Sequence, residues 1–172
     1  MGMGAALLLA PESGCKRRKK APTEAAKEQP LETATMLGAA DPRAALQLTK
    51  GFYEIENGGW RWSTKEFQAV LRPPVTASEK GAVLLLQFSV VEMSINKLGP
   101  MTLKAKVGST ECATQRYDKA GKYEYKCDIP ASEFVGVKMT AADFALDKVL
   151  PMTEGDQREL GLVVSMVGFE AK

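Results

Sequence analysis

The 172 residues of this chain include no histidine, and the acid–base candidates its spacing offers are carboxylates. A Ser–His nucleophile is excluded on that ground. Glu54 and Glu56 are two residues apart; on a strand such residues share a face at about 7 Å, a separation compatible with a glycoside hydrolase. The same spacing describes an exposed polar strand face, and no catalytic residue is assigned. Thr153-Glu154-Gly155-Asp156 is a loop that offers close oxygens to calcium, and it reads equally as a solvated turn. No His/Cys/carboxylate spacing of a metal centre occurs, so neither metal ligands nor cofactors are assigned.

Binding chemistry is better represented. Phe52, Tyr53, Trp60, Arg61 and Trp62 form one aromatic cluster. Aromatic faces stack on sugar rings, and an adjacent Arg or Glu hydrogen-bonds hydroxyls. The competing reading places at least one indole in the core, because large aromatics dominate cores. Asp156 and Arg158, with Glu159, stand just before the last apolar stretch; they form either an ion pair that fixes a loop or a polar ligand site. The candidate ligand-binding residues are therefore Trp60, Arg61, Trp62, Asp156 and Arg158.

The three cysteines divide into one and two. Cys112 and Cys127 flank a turn signal at 118–121. If Tyr117 pairs with Lys122, the same register sets the cysteines opposite each other, with Cβ atoms about 4.5–5.5 Å apart before twist closes the gap. The alternative is two reduced thiols on neighbouring strands. A disulfide implies an oxidising compartment. Cys15 stands alone, after an apolar run from Met1 to Ala10 and a Ser13-Gly14 pair. That run is too short to span a bilayer as a helix. It resembles the end of a bacterial lipoprotein signal, with Glu12 where such signals carry an aliphatic residue and no basic segment before it. Cys15 is the lipidation candidate; the alternative is an apolar tail.

The elements that must position these residues are mostly strands. A short helix is expected over 41–48, capped by Asp41, with Pro42 at its first position. Period-two alternation follows over 52–56, 60–62, 65–72, 101–107, 111–117, 122–128, 137–147 and 160–169. Asn57-Gly58 is a hairpin signal. Residues 82–91 are almost continuously apolar, as in a strand buried on both faces. The reading is an all-β, antiparallel, two-sheet β-sandwich, jelly-roll-like, of about eight or nine strands with one short N-terminal helix. Residues 1–37 are a leader and flexible tether, and 38–172 the sandwich. Residues 1–37 carry six basic and four acidic side chains, leaving 17 of each sign in the sandwich. Formal neutrality weakens the electrostatic case for nucleic acid, and no nucleic-acid partner is expected. The basic run Lys16-Arg17-Arg18-Lys19-Lys20 reads as a solvated stretch at the start of a disordered tether, the alternative being a nucleic-acid or nuclear-import patch.

The residues Gly51-Phe52-Tyr53-Glu54-Ile55-Glu56, Trp60-Arg61-Trp62, Phe144-Ala145-Leu146-Asp147 and Asp156 to Leu162 resemble a β-sandwich module of bacterial envelope proteins. That module occurs appended to membrane glycosyltransferases and is similar to uncharacterised stand-alone lipoproteins. The resemblance covers roughly 41–172. It implies a non-catalytic envelope domain and carries over no catalytic residue. The expectation is an exported, lipid-anchored binding or scaffolding module whose ligand is a glycan or an envelope protein. Two other classes fit: an assembly lipoprotein contacting only proteins through a strand edge, and a carboxylate-dependent glycoside hydrolase. The leader reading predicts that mass spectrometry of the mature N-terminus finds lipid on Cys15; an intact Met1 terminus overturns it.

Overall fold

The computed structural model describes residues 1–2 and 32–172. Among these, ten strands occur: β1 (Met36–Gly38), β2 (Leu48–Glu56), β3 (Trp60–Leu71), β4 (Ala82–Val90), β5 (Met101–Val107), β6 (Thr110–Glu111), β7 (Gln115–Tyr117), β8 (Gly121–Ile129), β9 (Thr140–Leu146) and β10 (Val163–Ala171). Three short helices join them, α1 (Ala44–Gln47), α2 (Ala77–Lys80) and α3 (Glu92–Leu98), with one 3-10 turn at Ala131–Phe134. Every strand pairing is antiparallel.

The strands make an all-β sandwich. One layer holds β2, most of β3, β9 and β5, with β6 and β7 on β5. The other runs β1 and β3, then β10, β4 and β8. The alternation on β5 is as the sequence implies: Met101, Leu103, Ala105 and Val107 are buried, and Lys104 and Lys106 exposed. From β4, Leu84, Leu86 and Phe88 enter the same core, joined by Phe67, Ala69 and Leu71 of β3. Phe67 stacks on Phe144 within the first layer, and Phe88 meets Tyr117 edge-on across the two layers. The outer face of β4 differs from the expected double burial. Leu85 is buried there, but Val83, Gln87 and Ser89 are only half covered.

One strand belongs to both layers. Sequence alternation divides 60–72 into two strands, and the structure joins them as β3. Its start pairs with β10 (Trp62 opposite Val163), and its end pairs with β9 (Glu66 to Leu71 opposite Ala145 to Thr140). Between them Ser63 is fully buried. Its N–H donates to Leu162 O, its carbonyl accepts from Gly161 N–H, and its Oγ accepts from Leu162 N–H at 3.0 Å. A Cβ on Gly161 would lie 2.6 Å from that Oγ, so the approach admits only glycine. On the other side Gly51, at φ +72°, lets β2 follow the bend; a Cβ there would meet Thr64 Oγ1 at 2.6 Å.

Several expectations are corrected. The helix is four residues long; the Asp41 carboxylate accepts the Arg43 N–H and guanidinium, closing a turn before α1, and Leu48 already begins β2. Gly51 lies inside β2. Met36–Gly38, placed across the join of tether and sandwich, pairs with Gly168–Met166 of β10. Gln47, buried in α1, ties this segment down: its amide donates to Ala34 O and Val70 O, and its Oε1 accepts from Ala34 N–H. A register shift between Val164 and Met166 turns the last strand over, so that Val164 enters the core before it and Val167 and Phe169 after it. Helices α2 and α3 were not expected.

The disulfide between Cys112 and Cys127 is present, with Cα atoms 5.8 Å apart. Its setting is not the expected hairpin. Tyr117 pairs with Met101 of β5, and Lys122 with Ser89 of β4. The turn between β7 and β8 therefore crosses from one layer to the other, and the disulfide staples the layers. Tyr125, beside it, donates to Ala113 O, and burial pushes its phenol up to about 12. Replacing both cysteines by serine opens a covalent loop of 15 residues and is expected to lower the unfolding free energy by about 3 kcal/mol. Urea denaturation checks this, and an unchanged midpoint contradicts it.

Candidate functional site

The residues 60–62 divide between two environments because strand side chains alternate. Trp62 lies opposite Val163, which lies opposite Ser89, so all three share the outer face of the β10–β4–β8 layer. Trp62 is 8% exposed and packs with Leu150 and Leu160 in a second apolar cluster, separate from the core between the layers. Trp60 sits beside it, ring centroids 6.2 Å apart and edge-on, and stays partly exposed. Both indoles do lie on one face. The cluster is roofed by the segment 147–162, whose Leu150 and Leu160 exchange backbone hydrogen bonds of 2.9 and 3.0 Å.

Arg61 points the other way. Its Nε donates to Ala39 O and its Nη1 to Tyr53 O, both at 3.0 Å, and the guanidinium is largely buried. This arginine clamps backbone and is not on the face that carries the indoles.

Asp156 and Arg158 meet as a pin across the roof. Arg158 donates to both Asp156 oxygens and to Glu56 Oε1 at 2.7 Å, and stands over the Tyr53 ring at 5.3 Å. These hydrogen bonds hold the Asp156 carboxyl below its ordinary value. Tyr53 packs against the Trp62 cluster, so the pin closes the segment onto the β2–β3 hairpin. The hairpin turns at Asn57 and Gly58, φ +48° and +66°, the positive pair that a type I′ turn requires.

Thr153–Asp156 is a hydrogen-bonded turn: Thr153 N–H donates to Asp156 O, and Asp156 N–H to Thr153 Oγ1. Among the described residues, no group of three or more His, Cys, Asp or Glu is placed to hold a metal. The two carboxylates paired by spacing are engaged separately. Glu56 is held by Arg158, while Glu54 is fully exposed with Arg61 at 3.9 Å. A register shift between Phe52 and Ile55 interrupts the regular β2–β3 ladder beside Glu54.

Trp60 forms one wall of a groove of about 530 Å³ on the outer face of its layer. Gln87 and Ser89 of β4, Lys122 and Glu124 of β8, and Ser165 of β10 supply the polar lining. Gln87 Nε2 donates to Glu124 at 3.0 Å, and Ser165 Oγ donates to Gln87 O. These residues escaped sequence reasoning because three separate strands contribute them. Their one local signal is Gln87 and Ser89 interrupting the apolar run 82–91. A second depression, of about 320 Å³, lies on the opposite layer between Lys50, Glu66, Lys104, Lys106 and Asp143. Lys50 and Glu66 pair there, and Asp143 accepts from Gln68. The aromatic residues lining it, Phe67 and Phe144, are core side chains.

Cys15 and the basic run 16–20 lie outside the described residues. Among the described residues no helix is long and apolar enough to cross a membrane. No family model and no curated protein matches the chain. Among solved structures, it is similar to the CBM36-1 domain of a multidomain xylanase from the hindgut metagenome of Trinervitermes trinervoides. The identity is 12% and the TM-score 0.42, over 80% of this chain and 97% of that one.

Trp62→Ala removes the centre of the second cluster and is expected to cost about 3–5 kcal/mol. Arg158→Met, at a half-buried pin, is expected to cost about 1 kcal/mol. Equal midpoints for the two variants in thermal denaturation contradict this assignment.

Proposed function

We propose that the sandwich is a non-catalytic glycan-binding module of an exported protein tethered to the bacterial envelope. The observation that carries the reading is the groove beside Trp60. A sugar ring can stack on the partly exposed indole while Gln87, Ser89 and Glu124 offer amide, hydroxyl and carboxylate partners to its hydroxyls. Sites of this kind combine an apolar wall with a few placed polar groups. Trp62 and the roof behind it hold the Trp60 ring in position, so little ordering is left for binding to bear.

The inter-layer disulfide supports export, since such bonds persist in oxidising compartments. Lipid attachment at Cys15 through the tether is the anchoring part of the proposal. A tether of about 20–25 residues has a mean reach of about 25–30 Å, enough to present the groove to material at the membrane surface.

Glycan-array screening followed by calorimetry tests the reading. A retained glycan should lose at least about tenfold in affinity in Trp60→Ala, with the thermal midpoint kept within a few degrees. An array that retains no glycan, or affinity unmoved by Trp60→Ala, overturns it.

A further inference from the structure

We propose that two copies of this chain pair antiparallel through their β8 edges, with a two-fold axis between the two copies of Tyr125. Among the described residues β8 ends the strand order of its layer, and β4 is its one ladder partner. All nine β8 residues run in unbroken register with β4, and the strand contains no proline. Such an edge leaves alternate backbone N–H and C=O groups open to another strand. The other edges are blunted. β2 is nine residues long but has three register shifts, and β1, β6 and β7 span two or three residues.

The occupant is argued from charge. The outward side chains of β8 are Lys122, Glu124, Lys126 and Asp128, all exposed, while Tyr123, Tyr125, Cys127 and Ile129 turn inward. Setting Tyr125 opposite itself in an antiparallel pair puts Lys122 against Asp128 and Glu124 against Lys126, each twice by symmetry. Every outward position then faces the opposite sign, which stabilises a ladder, whereas like charges directly opposed destabilise it. Sliding the register by two residues either way sets Glu124 or Lys126 against its own copy. Sliding by one puts outward charges on the buried face. A strand guarded against self-pairing would carry one sign, and this strand carries an alternation that self-pairing satisfies.

Within one copy Lys126 already reaches Glu124 at 3.0 Å and Glu170 at 3.3 Å, and Asp128 accepts Lys172. Lys122 makes no ion pair among the described residues, and it gains one in the dimer. The contact is isologous and closes at two, because each copy's β8 edge is occupied by the other's. Its axis is perpendicular to the layer, so the two grooves lie on one continuous face. The proposal does not depend on what the grooves bind.

The test is sedimentation velocity on the full chain carrying Cys15→Ser, at low and high salt. A dimer at low salt that dissociates as salt rises is expected. An all-acidic strand (Lys122→Glu with Lys126→Glu) and an all-basic one (Glu124→Lys with Asp128→Lys) should each be a folded monomer by circular dichroism. Their equimolar mixture should form a heterodimer. Should either double variant fail to fold, Lys122→Glu alone should raise the dissociation constant about tenfold, and mixing it with Asp128→Lys should recover affinity. A wild-type chain that is monomeric at low salt overturns the proposal. So does a dimer that survives in the charge variants, or a mixture that does not associate.

Discussion

The junction of Ser63 with Gly161 and Leu162 is the constraint on which the rest of the structure depends. There β3 leaves β10 and joins β9, and two polar backbone segments meet in the interior. Every group at the meeting is satisfied: two backbone hydrogen bonds, and a third from Leu162 N–H to the Ser63 hydroxyl. An unpaired buried group at this point would cost about 1–3 kcal/mol. The absence of a side chain on Gly161 lets the strands approach, and Gly51 lets β2 follow the same bend.

That bend converts one alternation into two packing environments. Before it, Trp60 and Trp62 point to the outer face of a layer; after it, Phe67, Ala69 and Leu71 point between the layers. The outer indoles then need a roof. Leu150 and Leu160 supply it, held by a backbone bridge and by Arg158 on Glu56, Asp156 and Tyr53. The roof ends at Trp60, and the groove begins there. Site and fold thus share one cause: the wall of the groove is the uncovered margin of a small hydrophobic cluster.

The disulfide works at the far side of the same layer. It joins the loop after β6 to β8, and with the Tyr117–Tyr123 contact of 4.7 Å it holds the layers together where no strand passes between them. β8 is consequently a well-held strand whose free edge is regular. Its charge pattern, alternating on the exposed face, distinguishes it from the short or bulged edges elsewhere.

Much of the fold was legible in the residues alone. Alternation on 101–107 and the Asn57-Gly58 turn are local signals, and a half-buried strand imposes them on its own sequence. The cysteine pairing was legible too, though through the wrong geometry: a hairpin register was inferred where two layers meet, because a turn at 118–121 does not reveal whether the strands beside it pair with each other. Trp60, Asp156 and Arg158 announced themselves by residue type, and Arg61 by proximity to them, yet a one-residue step on a strand reverses the face, and Arg61 faces the carbonyls of Ala39 and Tyr53. Gln87, Ser89, Glu124 and Ser165 carry no joint signal, since they come from three strands that only the ladder brings together. By itself the sequence determined the strand content, the apolar faces, the turn and the thiols, each written within a few consecutive residues. Tertiary structure alone decided that β3 serves both layers, which face each indole takes and where the groove lies, because these follow from which strands pair, and pairing is set by contacts between residues far apart in the chain.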